Sequence, residues 1–196
     1  MLNRLSPMTS FATSLIRTSV ACGLLAAGLV LTSCDLASAG NTAILSANST
    51  SPPTVRHRFE YTEDEVTEEG QAEVVSSIQS DDLDAILADN GFSRSDVVSA
   101  QVDSVRVERL STGTLSGADL YLGTDASGPV IAGVEFDDPE AETPARDNTS
   151  RTVTGAVKSG QKRAFAQFDV EDPSDIPSSG GRVRAVVYYR LEVEGV

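Results

Sequence analysis

Few side chains in this sequence could act as an acid, a base or a nucleophile near neutral pH. Its 196 residues include one histidine, His57, and two cysteines, Cys22 and Cys34. Histidine is the usual general base at neutral pH. His57 stands between Val55 and Phe59 on the apolar side of an alternating segment, so we expect a half-buried histidine, hydrogen-bonded near a sheet edge. A Ser-His-Asp relay could use only His57, and no Gly-x-Ser-x-Gly turn is present to display a serine.

Carboxylates are plentiful, with 29 aspartates and glutamates in the chain. A pair of them could hydrolyse a glycosidic bond, but so many acidic residues guarantee chance pairs. Sugar sites also usually offer aromatic platforms, and here tryptophan is absent and aromatic residues make up 5%. A zinc site from one histidine is implausible, and no glycine loop ends in the Lys-Ser/Thr pair that binds phosphate. We therefore expect a protein that is not an enzyme and needs no cofactor.

Two acidic segments are weak candidates for calcium, which takes six to eight oxygen ligands. Neither has the spacing of an EF-hand loop, and a solvated run of charge is the simpler interpretation of both. The candidate ligands are Asp137, Asp138, Glu140 and Glu142 in the first segment, and Asp169, Glu171, Asp172 and Asp175 in the second.

The beginning of the chain has the pattern of an export signal. Only Arg4 and Arg17 are charged before the first acidic residue, Asp35, and an uncharged apolar run of 12 residues covers Val20–Leu31. A basic segment followed by 7–15 apolar residues is typical of a secretory signal peptide. The run is too short for a transmembrane helix, which needs about 20 apolar residues.

The residues that follow this run resemble a lipobox. Leu31-Thr32-Ser33-Cys34 has an aliphatic residue, two small residues and a cysteine, as in bacterial lipoproteins. The resemblance covers only the first 35 or so residues. It implies cleavage between Ser33 and Cys34, lipidation of Cys34, and a protein tethered to a membrane of the cell envelope. Asp35 resembles the inner-membrane retention signal of enterobacterial lipoproteins, a rule that other bacteria do not follow, so the inner and the outer membrane both stay open.

Ordinary secretion is the rival interpretation. Ala37-Ser38-Ala39 matches the small-residue pattern of general signal peptidase cleavage, although it lies eight residues past Leu31. Cysteine usage favours the lipobox, because cleavage before Cys34 would discard Cys22 and leave one cysteine at the first position. No internal disulfide would then be possible.

Charge and length limit the remaining possibilities. Removing residues 1–33 would leave 163 residues, enough for one domain. It would also remove two arginines and leave 13 basic and 29 acidic side chains, a net charge of −16. Such a field would repel nucleic acid and anionic lipid headgroups. The scarcity of lysine and the many small residues resemble proteins of salt-adapted organisms; an acidic surface kept soluble by its charge is the equal alternative.

Periodicity predicts a mostly β fold. Small polar residues ending in Pro52-Pro53 indicate a flexible linker over 34–53, and a single domain is expected over 54–196. Alternation of apolar and polar residues predicts strands. One short helix near 82–90 is predicted by a cap at Asp81 or Asp82, an apolar face of Leu83, Ile86 and Leu87, and Gly91 at the C-terminal end. The strands are expected at 54–62, 72–79, 97–111 with a bulge near Asp103-Ser104, 118–124, 129–136, 151–157, 162–170 and 182–194, with 137–148 as a loop.

Seven or eight short strands separated by turns indicate an antiparallel β-sandwich, immunoglobulin-like in general architecture. The sequence thus predicts a lipid-anchored envelope protein with a non-catalytic binding or structural domain. Its expected partners are the membrane, through the lipid, and another envelope protein or glycan. The alternatives are a carboxylate-dependent hydrolase of envelope polysaccharide and a calcium-dependent adhesion module.

Overall fold

A computed structural model describes residues 42–46, 53–79, 83–111, 114–138 and 143–194. The chain divides into two compact units, Met1–Leu36 and Ala37–Val196, and all the described residues belong to the second. The mostly β prediction is confirmed, since the described residues form two antiparallel sheets around one hydrophobic core, a β-sandwich.

The larger sheet has seven strands among the described residues. Its main order is β4-β2-β11-β5-β8, with β1 also paired to β11 and β9 to β5. Every pairing is antiparallel. The bounds are β1 Thr42–Leu45, β2 Thr54–Tyr61, β4 Ser77–Gln79, β5 Val97–Ser111, β8 Ala145–Asp147, β9 Arg151–Thr152 and β11 Gly181–Glu194.

The smaller sheet has four strands in the order β3-β10-β6-β7, also antiparallel. Its strands are β3 Gln71–Val75, β6 Thr114–Leu122, β7 Val130–Glu135 and β10 Ala164–Asp172. Two short helices accompany the sheets, α1 Leu83–Asp89 and α2 Thr154–Lys158. The helix predicted near 82–90 is α1, which buries Leu83 and Leu87.

The prediction of a flexible linker is wrong for four of its residues. Thr42–Leu45 form β1, which pairs with the end of β11 from Thr42↔Glu194 to Leu45↔Leu191. Leu45 is buried in the core. A segment of four residues is too short to show a period in the sequence, and the unpaired edge of β11 supplies the hydrogen bonds that hold it. The domain therefore begins earlier than residue 54.

The bulge predicted near Asp103-Ser104 is confirmed. Tyr188 pairs with Ser104 and Tyr189 pairs with Val102, so Asp103 is the additional residue of β5. A bulge of this kind restores the inward parity of a strand. A second register shift lies between Ser99 and Val97. As a result Val97 is buried with Ala100 and Val102, whereas Val98, which has the same sequence parity as those two residues, is exposed.

Three other segments differ from their predictions. The strand expected over 72–79 is two strands in different sheets, β3 and β4, separated by Ser76. The strand expected over 151–157 ends at Thr152, because the Thr154 hydroxyl accepts from the Ala100 amide at 2.9 Å and the chain turns into α2. The loop expected over 137–148 contains β8. In each case a long-range contact decides the outcome.

Aromatic rings join the two sheets inside the core. Phe59 meets Phe168 edge to face with ring centroids 5.6 Å apart, and Tyr61 stacks on Phe168 at 5.5 Å. The Tyr61 ring lies over Gly181, the first residue of β11, where a Cβ atom would overlap the ring. Gly181 is thus required by a close approach between side chain and backbone.

Replacing Gly181 by alanine should therefore destabilise the domain by about 1–3 kcal/mol through overpacking. Gly155 is the matched control, since it lies in α2 with nothing near its missing Cβ, and Gly155→Ala should be neutral or stabilising. Urea unfolding of both variants measures the difference. Equal free energies of unfolding would contradict the packing assigned to Tyr61.

Candidate functional site

His57 is a core residue of the large sheet. It is 1% exposed, more deeply buried than the half-buried position expected from the sequence, and it lies on β2, next to the edge strand β4. Its Nδ1 shares a hydrogen bond of 3.0 Å with the Ser76 hydroxyl, and Nε2 has no partner among the described residues. Burial lowers the pKa of His57 to about 4. A histidine neutral at pH 7 and shielded from solvent cannot serve as the base of a surface site.

The hydrogen bonds of Ser76, the partner of His57, give this buried pair a structural role. The Ser76 hydroxyl also accepts from the Ala164 amide at 2.9 Å, and its own amide donates to the Ala164 carbonyl at 2.8 Å. Ser76 is the residue at which the chain passes from the small sheet to the large one. The group of His57, Ser76 and Ala164 therefore fastens the two sheets together and has a structural role.

The outer face of the small sheet contains a groove of about 800 Å³. The carboxylates of Asp119, Glu135 and Asp169 line it, together with Gly117 and Gly133. Asp169 lies over Gly117 and Asp119 over Gly133, where a Cβ atom would come within 2.9 and 3.0 Å of a carboxylate oxygen. The two glycines thus deepen the groove.

The three carboxylates of the groove are all exposed to solvent. A general acid for glycoside hydrolysis depends on an apolar surrounding that keeps one carboxyl protonated. Tyr121 and Phe165, with ring centroids 6.1 Å apart, lie on the same sheet, but neither lines the groove. The arrangement favours a solvated acidic surface over a pair of carboxylates with different roles.

The calcium candidates are only partly described, because Glu140 and Glu142 lie outside the described residues. The side chain of Arg109 lies against the first segment. Its guanidinium donates a hydrogen bond to the Asp138 carbonyl at 2.8 Å and lies 4.5 Å from the centre of the Phe136 ring. A positive charge from the chain itself is thus already placed beside this segment, which also includes Asp137.

In the second segment Asp172 begins a short turn, and its carboxylate accepts from the Ser174 amide at 2.9 Å. Asp169 lines the acidic groove, whereas Glu171 and Asp175 do not. Among the residues that the structure describes, no three histidine, cysteine or acidic side chains are grouped so that they could hold a metal ion.

Asp147 joins the edges of the two sheets. Its carboxylate accepts from the Gly133 amide at 3.0 Å, from the Thr149 amide at 2.7 Å and from the Arg151 guanidinium at 2.9 Å. Burial alone would raise the pKa of Asp147, but these hydrogen bonds outweigh it and lower the pKa to about 2. Asp147 is thus ionised at neutral pH, and its carboxylate oxygens are engaged in hydrogen bonds within the fold.

The outer face of the large sheet is rich in arginine. The cross-strand registers place Arg184 beside Arg58, and Arg106 beside Arg146. We use the name arginine face for the outward residues of β2, β5, β8 and the first half of β11. Its charged members are Arg56, Arg58, Glu60, Asp103, Arg106, Glu108, Arg146, Arg182 and Arg184.

Glu108 is 9% exposed and lies between two arginines of this face. Its carboxylate is 2.8 Å from Arg106 and also contacts Arg184. Arg58 pairs with Glu60 at 2.7 Å. Arg146 and Arg182 form no ion pair with any described residue. Six arginines against three carboxylates, those of Glu60, Asp103 and Glu108, leave a positive excess on this face, although the whole chain has a net charge of −14.

Net charge and composition did not reveal this face, but strand parity could have. In the sequence Arg56 and Arg58 already share the outward parity of one strand, and Arg182, Arg184 and Arg190 share that of the last. What the sequence does not show is that β5 and β8 place Arg106 and Arg146 beside them, because that requires the pairing of strands far apart in the chain.

Ser33 and Cys34, the expected cleavage and lipidation site, lie outside the described residues. No helix among the described residues is long and apolar enough to cross a membrane. No protein-family model matches the chain, and no curated protein matches it at a significant level.

Burial of His57 predicts a specific dependence of stability on pH. The folded protein holds His57 neutral down to about pH 4, whereas the unfolded chain binds a proton at about pH 6.5. The free energy of unfolding should therefore be highest above pH 6.5 and fall by up to about 3 kcal/mol as the pH decreases to about 4.

Urea denaturation between pH 7 and 4 measures this loss, with His57→Gln as the comparison, because glutamine can still bond to Ser76. The variant should lose the dependence in that window. Asp147 contributes little in this window, since most of its stabilising contribution is lost below pH 4, as the pH falls through 3.8 towards 2. If the free energy of unfolding of His57→Gln depends on pH as strongly as that of the unmodified protein, groups other than His57 cause the dependence.

Proposed function

We propose that this chain is a lipid-anchored protein of the bacterial cell envelope whose β-sandwich serves in binding or structure and not in catalysis. The anchor is inferred from the lipobox Leu31-Thr32-Ser33-Cys34 behind the apolar run. The domain would remain outside the cytoplasm, attached by the lipid on Cys34, and contact another envelope component.

The observation that carries the binding role is the separation of charge between the two outer faces. The arginine face is positive, whereas the small sheet presents Asp119, Glu135 and Asp169. Arg106 and Arg146 lie directly opposite each other, an unfavourable pairing of like charges that Glu108, 2.8 Å from Arg106, offsets only in part. A surface that weakens the fold in this way favours a contact with a partner of opposite charge.

The groove on the small sheet supports a second candidate, a hydrolase of envelope polysaccharide, because it brings three carboxylates to one concavity. Their exposure weighs against it. Release of reducing sugar from envelope polysaccharide by the purified protein, abolished in Asp119→Asn or Asp169→Asn, would favour the hydrolase over the binding domain.

The anchor has a direct test in the mature N-terminus. After expression of the full chain in a bacterium, intact-mass analysis should find a chain that begins at Cys34 and has a diacylglyceryl mass added. Cys34→Ser should abolish the lipid and release the protein from the membrane fraction, whereas Cys22→Ser should leave both unchanged. An unmodified chain beginning at Gly40 would show ordinary secretion instead.

A further inference from the structure

We propose that the arginine face is a docking surface for anionic lipid headgroups, so that the large sheet lies against the membrane. The choice of a membrane over other anionic partners rests on the proposed lipid anchor. Two features of the described residues support it: the excess of positive charge and the isolation of that charge from the acidic groove. A third is the short length of chain between Cys34 and β1.

The arginine face is wide enough to meet several headgroups. One row of paired residues crosses four strands of the sheet. It begins at Arg56 on β2, continues through Val186 on β11 and Arg106 on β5, and ends at Arg146 on β8. Three spacings of about 4.8 Å between neighbouring strands make this row about 14 Å across. Arginine binds phosphate oxygens through two parallel hydrogen bonds, and Arg146 and Arg182 have guanidinium groups that no described carboxylate occupies.

The negative net charge does not prevent such a contact. The carboxylates of the groove lie on the outer face of the other sheet, and packed sheets are about 10 Å apart before side chains are added. The Debye length at physiological ionic strength is about 8 Å. A surface that touches the arginine face therefore senses mainly the local positive charge.

β1 belongs to the same large sheet, and it begins a short stretch of chain after Cys34. Only seven residues separate Cys34 from Thr42, which pairs with Glu194 at the end of β11. The eight residue-to-residue steps from Cys34 to Thr42 span at most about 28 Å. Ile44 on β1 is 64% exposed. Glu192 and Glu194 lie at this end too, so the lipid and Ile44, and not charge, would hold it to the membrane.

The test uses the unit Ala37–Val196 without lipid, which contains every described residue of the core. It should sediment with phosphatidylcholine vesicles that contain phosphatidylglycerol at about 0.1 M salt, and not with phosphatidylcholine alone. At about 1 M salt the binding should be lost, because the Debye length falls to about 3 Å.

Two variants with the same change of charge locate the surface. The double variant Arg146→Gln/Arg182→Gln should weaken partitioning roughly 30-fold, on the basis of the usual contribution of one arginine at an anionic membrane. Lys158→Gln/Arg163→Gln, outside the arginine face, should weaken it much less. Melting temperatures check that both double variants fold. If Arg146→Gln/Arg182→Gln does not fold, the single variant Arg146→Gln replaces it. Because Arg146 is exposed, this variant should fold, and it should weaken binding about fivefold.

Equal binding to neutral and anionic vesicles, or equal losses in the two double variants, would overturn the proposal. So would a unit that ignores vesicles but forms salt-sensitive oligomers or binds a soluble anionic polysaccharide through Arg146 and Arg182. Because this unit has no lipid, vesicle binding together with an unlipidated mature N-terminus would refute the anchor alone. A lipidated N-terminus without vesicle binding would refute the docking surface alone.

Discussion

The alternation of side chains along β11 is the constraint on which the rest of the structure depends. This strand of 14 residues pairs with β2 and β1 on one side and with β5 on the other. Its inward residues, from Val183 to Val193, are fully buried, whereas Arg182, Arg184 and Arg190 lie on the outer side. One register therefore determines both the core and the arginine face, and a slip by one residue would exchange them.

A few hydrogen bonds join the two sheets at places where apolar packing cannot. The core is apolar and needs no specific partner, but the passage of the chain between sheets leaves polar groups inside. Ser76 satisfies the backbone of Ala164 at one such place, and Asp147 receives the Gly133 amide at another. These few hydrogen bonds join edges that apolar packing alone would leave unmatched.

The net charge of the chain is a poor guide to what its surfaces meet. The sequence predicted that a net charge of −16 would repel anionic lipid. In the fold the arginines are gathered on one sheet and the carboxylates of the groove on the other, separated by more than a Debye length. The interaction of each face with a partner is therefore governed by its own charge, which makes the arrangement of strands the decisive information.

The sequence by itself determined the sandwich, the helix α1, the strands β2 and β11, and the bulge at Asp103, because each follows from a local period or turn. Only the tertiary structure decided the strand β1, the division at Ser76, the end of the strand at Thr152 and the complete burial of His57. These depend on hydrogen bonds to residues distant in sequence. The arginine face needed both kinds of information. Strand parity in the sequence predicts that the arginines of β2 and β11 point outward, whereas only the pairing of β5 with β11 and β8 places Arg106 and Arg146 beside them.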